Sequence, residues 1–274
     1  MKKISLPLLS LLFFIVLTSC SEKEKKNQES AEKKEVEQVK EDKHNKQELH
    51  WSYKGETGPE NWKNLSDKFV DCGGNSQSPI DIVTKNVIND ESLSKPEFNY
   101  GKSKVNIINN GHTVQFNVDG NNTVKLNGKD YKLLQFHYHA LSEHTIDGKY
   151  YPLEVHFVHK HADNDFAVIG LMYVEGKEND LFKNFLDKFP TEKGGKFTGE
   201  ETIDLIKILP ENYSYYNYNG SLTTPPCSEI VNWYVFKTPV EASKEQIEKF
   251  SKILDNNYRP VQALNGRKVK LYTE

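Results

Sequence analysis

Apolar and polar residues alternate along much of residues 49–274, and the period is the two residues of a half-buried strand. Val105–Val118, Thr123–Leu126, Tyr131–His139, Leu153–His159, Phe166–Val174 and Ile230–Phe236 are rich in Val, Ile, Phe and Tyr and are broken by Gly, Asn and Asp. All six are predicted as strands. Two stretches change to helical spacing. Asp180–Phe189 puts Leu181, Phe182, Phe185, Leu186 and Phe189 on one stripe, and Pro190 ends it. Ser243–Leu254 opens with the capping-box pair Ser243 and Gln246 and aligns Ile247, Phe250, Ile253 and Leu254. Both stripes are expected to face the core. A stretch of about 225 residues can bury one large core, and β architectures of that size are often one domain. No internal repeat or second linker is visible.

The first 48 residues follow neither pattern. Lys2 and Lys3 precede an uncharged run from Ile4 to Ser19, which closes on Leu17-Thr18-Ser19-Cys20. A charged start, a short apolar middle and a small-residue end mark a secretory signal. The run is shorter than the ~20 residues of a membrane span. A Cys directly after Leu-Thr-Ser resembles a bacterial lipoprotein signal, in which Cys20 becomes the lipidated first residue; an ordinary signal peptide cut nearby is the alternative. Residues 21–48 hold eight Lys, eight Glu and one Asp and no aromatic residue. Such a stretch cannot bury enough apolar surface to order itself. The expected organisation is a lipoprotein signal peptide over 1–20, a charged disordered tether over 21–48 and one folded domain over 49–274. The domain would be exported and anchored to a bacterial membrane, on the periplasmic or cell-surface side, touching lipid only through Cys20.

Charge and cysteine content narrow this further. The net charge is −3 at pH 7. The tether's charges nearly cancel and the domain is mildly acidic, so nothing points to a nucleic-acid or anionic-lipid partner. With Cys20 set aside, Cys72 and Cys227 remain in a setting that favours oxidation. A disulfide between them would close a loop of about 155 residues, roughly 5 kcal/mol in the chain-entropy model. Two separate buried thiols are the other reading.

Chemistry concentrates in Gln135-Phe136-His137-Tyr138-His139 and Glu154-Val155-His156. His137 and His139 leave the same strand face, about 7 Å apart along the chain, and Gln135 shares that face. On the second strand Glu154, His156 and Val158 share a face. Pairing with these faces inward lets three imidazoles converge. Three histidines with a fourth position open are a catalytic zinc arrangement. A ligand histidine needs a partner on its other ring nitrogen, and Gln135 and Glu154 each stand two residues before a candidate ligand. His159 and His161 are set aside. His159 has the opposite parity to His156, and the turn signal Ala162-Asp163-Asn164-Asp165 follows, so the pair is expected at a solvated strand end.

Further pieces complete a resemblance. His50-Trp51-Ser52-Tyr53, Gly58-Pro59-Glu60-Asn61-Trp62, Gln77-Ser78-Pro79-Ile80-Asp81-Ile82 and Asn110-Gly111-His112 precede the histidine strands. Ser142-Glu143-His144-Thr145, Ser221-Leu222-Thr223-Thr224-Pro225-Pro226-Cys227 and Asn257-Tyr258-Arg259-Pro260-Val261-Gln262 accompany and follow them. In content and order the chain resembles the alpha-class carbonic anhydrases over residues 50–274. The resemblance implies a mainly β domain built on a large twisted, mainly antiparallel sheet with short surface helices. It implies reversible hydration of CO2 to bicarbonate and a proton by a zinc-bound hydroxide, with Zn2+ on His137, His139 and His156. Thr223 would accept the hydroxide's hydrogen bond and donate its own to Glu143, which as a carboxylate can only accept. Val158, Val168, Leu222, Val231 and Trp233 would form the apolar wall for CO2, with Thr224 beside them. His112 would shuttle the proton, since an imidazole titrates near neutrality, and Tyr53 would help order cleft water. His144 would brace structure. Anions and sulfonamides are the implied inhibitors, and a homodimer is an open assembly state.

Two other readings use the same residues. His137-x-His139-x3-Glu143 also fits the metal motif of cupins, which leaves Asn110–His112, Glu154–His156 and Ser221–Pro226 unexplained. A binding module that keeps the fold without turnover would suit a surface tether, but the usual route to one is loss of a ligand histidine.

Overall fold

The structure is a computed structural model and describes residues 50–274. The expected signal peptide, Cys20 and the tether lie outside the described residues. The strands run β1 (Asp81–Ile82), β2 (Ile88–Asn89), β3 (Glu97–Asn99), β4 (Lys102–Asn109), β5 (Val114–Asn117), β6 (Thr123–Leu126), β7 (Lys129–His139), β8 (Thr145–Ile146), β9 (Leu153–Ala162), β10 (Asp165–Glu175), β11 (Lys196–Asp204), β12 (Tyr215–Gly220), β13 (Val231–Phe236), β14 (Val240–Ala242) and β15 (Lys270–Tyr272). Thirteen of them form one sheet whose main path is β11-β4-β5-β7-β9-β10-β13-β12-β15-β2, and β1 and β8 form a separate pair. Pairing is mostly antiparallel; β10 runs parallel to β13 and β14, and β15 parallel to β2. The mainly antiparallel sheet with few short helices is the architecture expected from the sequence.

Strands β7, β9 and β10 occupy the middle. β9 and β10 are buried on both faces over most of their length, whereas β7 leaves Lys132 and Leu134 exposed and Gln135 and His137 half-buried. On one face Phe136, Tyr138, Val155, Phe157, Ala167, Ile169 and Leu171 enter the principal core. Burying that much apolar surface is the main stabilisation available to the sheet, at about 25 cal/mol per Å². Ser243 caps the helix Lys244–Leu254 with the full capping box, and Phe250 and Leu254 join the same core. The other face carries a second cluster that includes Val168, Val231 and Trp233. Cys72 and Cys227 are joined in a disulfide, beside Trp62 and Phe69.

Several sequence expectations change. The single run Val105–Val118 is two strands, because Asn110 closes a turn: its Oδ1 accepts the N–H groups of His112 and Thr113, and Gly111 sits at φ +88. The helix expected over Asp180–Phe189 is α-helical only from Asp180 to Phe185 and tightens to a 3-10 turn over Leu186–Lys188. β7 is not one continuous alternation. The β7–β9 register skips Leu134, pairing Leu133 with His159 and Gln135 with Val158. This bulge moves the buried positions from Tyr131 and Leu133 to Phe136 and Tyr138. Finally, His159 is not at a solvated strand end. Strand β9 continues to Ala162, and His159 is wholly buried on the core face, its Nδ1 toward the Ala167 carbonyl and its Nε2 on the Tyr100 hydroxyl.

Candidate metal centre

The register of β7 against β9 puts His137 directly opposite His156 and His139 opposite Glu154. Ligand atoms of His137, His139 and His156 all lie within 4.8 Å of one another. The partner of each ring fixes which nitrogen is left. His137 Nδ1 meets Gln135 Oε1 at 2.8 Å, His139 Nδ1 meets the Asn257 carbonyl at 2.7 Å, and His156 Nε2 meets Glu154 Oε1 at 2.9 Å. All three partners are acceptors, so those ring nitrogens carry the protons. A neutral ring then keeps its lone pair on the other nitrogen: Nε2 of His137, Nε2 of His139 and Nδ1 of His156. His139 Nε2 is buried with no partner.

Electrostatics favour the neutral form at His137 and His139. Burial, and then the neighbouring imidazoles, hold His137 well below the usual histidine range; His139 is lowered by burial. Burial would lower His156 too, but the charge and hydrogen bond of Glu154 outweigh it and raise that ring. Glu154 is held well below the usual carboxylate range: burial opposes ionisation, and His144 and His156 overcome it. Its Oε2 takes the backbone N–H groups of Glu143 and His144 at 2.8 and 2.9 Å, and its Oε1 takes His144 Nδ1 at 2.8 Å as well as His156. A side chain at Gly170 would crowd it, since an ideal Cβ there lies 2.7 Å from Glu154 Oε1. His144, Glu154 and His156 also lie close enough to hold an ion. There, however, both ring nitrogens facing the carboxylate bear protons, and His144 Nε2 meets the Tyr218 hydroxyl. The lone pairs single out the other three.

Glu143 is wholly buried behind the ligands. Its Oε1 accepts the Arg259 N–H at 2.8 Å, while its Oε2 has no hydrogen-bond partner and lies 3.6 Å from His139 Nε2 and 3.8 Å from His156 Nδ1. Among the described residues no hydrogen bond joins Thr223 to Glu143, although Thr223 is buried. An unpartnered imidazole nitrogen facing an unpartnered carboxylate oxygen, both out of solvent, fits a site that holds a cation. The expected wall assembles: Val168, Val231 and Trp233 are buried in one cluster, with Val158 and Leu222 against it. The Trp233 ring stands edge-on to His156, 4.8 Å between centroids, and its Nε1 donates to the Ser221 carbonyl. Thr224 is half-buried, and its carbonyl accepts the Cys227 N–H at the turn closed by the disulfide. His112 is stacked on Trp51, rings 3.7 Å apart and 8° from parallel. Burial, then Lys193 and His50, lower its pKa. Tyr53 lies 6.5 Å from the His112 ring; burial and then Glu143 push its phenol well above the usual range.

Two positions had no role assigned from sequence. Asn257 bridges the site: its carbonyl takes His139, its Oδ1 takes the Ala140 N–H, and its Nδ2 reaches the His112 and Tyr138 carbonyls. Arg259, also buried, bonds Gln77 Oε1 and the Ser78 and Cys72 carbonyls and stacks over Trp62. Both lie in the run Asn257–Gln262, so the signal was present without its geometry.

The central sheet presents a group of three histidines, with a buried carboxylate behind it, that could hold a metal ion, and three-histidine sets are the kind that leave one coordination position open. A family model described as eukaryotic-type carbonic anhydrase matches residues 57–273. A carbonic anhydrase of Nostoc sp. is 42% identical over 225 residues, which is 81% of this chain and 85% of that protein. One from Pectobacterium atrosepticum is 42% identical over 80% of this chain and 89% of its own length. A solved alpha-carbonic anhydrase from Thermovibrio ammonificans, in complex with the inhibitor sulfanilamide, superposes with a TM-score of 0.78 at 46% identity, covering 81% of this chain and 99% of that one. The chain belongs to the eukaryotic-type, or alpha, carbonic anhydrase family, zinc-dependent enzymes of CO2 hydration.

Proposed function

We propose that this protein hydrates CO2 reversibly at a zinc ion held by His137, His139 and His156. The observation that carries the reading is the convergence of three imidazole lone pairs within 4.8 Å. Zinc bound there would supply a Lewis acid that brings a coordinated water's acidity to about neutral pH. The three neutral ligands leave the ion its full charge. Gln135, Glu154 and the Asn257 carbonyl hold the rings in the binding tautomer. Glu143 Oε2 is free to accept, so the Thr223 hydroxyl can turn its hydrogen onto it and offer the cleft a lone pair. That orientation favours ligands that can donate. Val158, Val168, Leu222, Val231 and Trp233, with Thr224 at the edge, give CO2 an apolar seat. His112 carries the product proton outward, and Tyr53 orders water on the way.

The same reading takes residues 1–20 as a lipoprotein signal, Cys20 as the lipid anchor, 21–48 as the tether and 49–274 as the catalytic domain. It places the enzyme outside the inner membrane of a bacterium, periplasmic or at the cell surface. Sulfonamides and small anions are the expected inhibitors, and a homodimer is compatible with it. Stopped-flow CO2 hydration with zinc assayed on the same sample, beside His139→Ala, is the test. Fast hydration with one zinc per chain, both lost in the variant, is expected. Zinc without hydration would instead indicate a binding module, and iron or manganese would indicate a different ligand set.

A further inference from the structure

Arg259 is buried, and a buried guanidinium is costly unless its donors are used. Its backbone N–H donates to Glu143 Oε1 at 2.8 Å. Its Nη1 donates to Gln77 Oε1 and to the Ser78 carbonyl, both at 2.8 Å, and its Nη2 to the Cys72 carbonyl at 3.1 Å. Burial lowers its pKa to about 10, against the pull of Glu143, so it is a cation at neutral pH. Among the described residues no carboxylate accepts from the guanidinium. Its three acceptors are neutral and lie on one segment, residues 72–78.

That segment anchors both ends of the loop that carries Thr223. At the first end the Ser78 N–H donates to Ser221 Oγ at 2.9 Å, and the Ser221 N–H to Ser78 Oγ at 3.1 Å. At the second, Gln77 Nε2 donates to the Cys227 carbonyl at 3.1 Å, and Cys72 is joined to Cys227 through sulfur. Between the ends the loop closes on itself: the Leu222 N–H meets the Ser228 carbonyl at 3.0 Å, and the Cys227 N–H the Thr224 carbonyl at 2.8 Å. The residues that support the loop are therefore the ones the guanidinium holds. The Nη1 donor also sets which way the Gln77 amide turns, with its oxygen to Arg259 and its nitrogen to Cys227. Arg259 reaches both sides of one gap: its backbone grips Glu143, and its side chain grips the supports of Thr223.

We propose that Arg259 is a positioning residue that sets Thr223 against Glu143, acting through Gln77, Ser78 and Cys72 on one side and through its own N–H on the other. That N–H occupies Glu143 Oε1, so Oε2 is the oxygen left for a hydroxyl. A shift of residues 72–78 moves Thr223 while Glu143 stays on the Arg259 backbone. The hydroxyl then loses its aim, and the cleft loses its preference for ligands that donate. A lysine at 259 keeps the charge but lacks the planar fork that serves three fixed acceptors. This deepens the proposed function and rests on its reading that Thr223 donates to Glu143.

The test uses the zinc-loaded full chain and two probes measured by calorimetry: sulfanilamide, whose sulfonamide nitrogen can donate, and thiocyanate, which has no donor. Arg259→Lys is expected to keep one zinc per chain and to lower kcat/KM for CO2 hydration about 10- to 100-fold. The ratio of sulfanilamide to thiocyanate affinity should fall about tenfold, the size of one lost hydrogen bond to a charged group. A part that only braces the fold would lower the Tm and leave that ratio alone. Gln77→Met cuts the same link and keeps the guanidinium. It should shift the ratio in the same direction, and the double variant should be no worse than Arg259→Lys, because the two act in series. An unchanged ratio in Arg259→Lys overturns the proposal. If that variant does not fold, an unchanged ratio in Gln77→Met does so. Thr223→Val separates the two readings. If it shifts the ratio while the Arg259 and Gln77 variants do not, the Thr223 reading stands and the role of Arg259 falls. If it leaves the ratio unchanged, the Thr223 reading falls, and the positioning role with it.

Discussion

His156 and His159 stand three residues apart on β9, both wholly buried, and they do opposite things. His159 faces the core and has both nitrogens engaged, one on the Ala167 carbonyl and one on the Tyr100 hydroxyl. His156 faces the cleft and gives one nitrogen to Glu154. Its other nitrogen turns toward two more imidazoles in the same state. Burial alone does not separate a ligand from a brace, and neither does residue type. What separates them is the count of satisfied ring nitrogens, and whether the open ones converge. His144 confirms the rule from a third position: it is buried beside the site, has both nitrogens engaged, and so belongs with His159.

The largest effect that would break this comparison is at the convergent ring. His139→Ala removes one of three lone pairs. Bound zinc should fall to near background, and CO2 hydration by at least about a thousandfold, while thermal unfolding of the metal-free chain shifts little. A variant that keeps both zinc and rate would return His139 to the braces.

Next in size is the acid stability of the brace. Burial lowers the His159 pKa to about 4. The folded value is depressed, so the unfolded chain takes the proton first as pH falls. The stabilisation is whole above the unfolded value, near 6.5, and is lost as pH falls toward 4. The difference corresponds to roughly 3 kcal/mol. Urea unfolding of the protein between pH 7 and pH 4 should show that slope, and His159→Phe should flatten it while leaving zinc content intact. An unchanged slope in the variant would show that another group carries it.

Glu154→Gln sharpens the same contrast from the ligand side. Glu154 takes four donors on two oxygens, and an amide offers only one oxygen. Losing the carboxylate frees His156 to rotate and change tautomer. Zinc affinity should fall about 10- to 100-fold, read by competition with a chromophoric chelator. A fall as large as that of His139→Ala would make Glu154 a ligand rather than a holder.

Much of this was legible because parity on two strands is a local property. Alternation along Gln135–His139 and Glu154–Val158 is enough to select His137, His139 and His156. The rest depends on pairing at long range. The Leu134 bulge leaves no mark in the chain, since Tyr131 to His139 reads as one strand either way. β11 escapes a sequence reading because it is an edge strand with Ile203 its only buried side chain, so no apolar alternation announces it. β12, Tyr-Tyr-Asn-Tyr-Asn-Gly, lacks aliphatic residues, and its neighbour β13 supplies the context. The expectation for His159 fails because Tyr100, 59 residues earlier, satisfies it, and the turn signal after Ala162 does not reach back that far. The hydrogen bonds that give Asn257 and Arg259 their places span more than a hundred residues.

The smallest effect tests the rule at its weakest joint. His159 Nδ1 faces a carbonyl, which only accepts, so the neutral ring's lone pair is on Nε2 and the Tyr100 hydroxyl donates to it. Tyr100→Phe keeps the ring volume and the contact with Phe98 and removes one donor. An unpartnered acceptor is left in the core, which costs about 1–3 kcal/mol. The Tm should drop by a few degrees, zinc content should stay at one per chain, and CO2 hydration should stay at the wild-type rate. Nothing in this substitution touches the cleft face. If the rate falls with Tm unchanged, the two faces of β9 are coupled, and the division between brace and ligand is not a property of satisfied nitrogens alone.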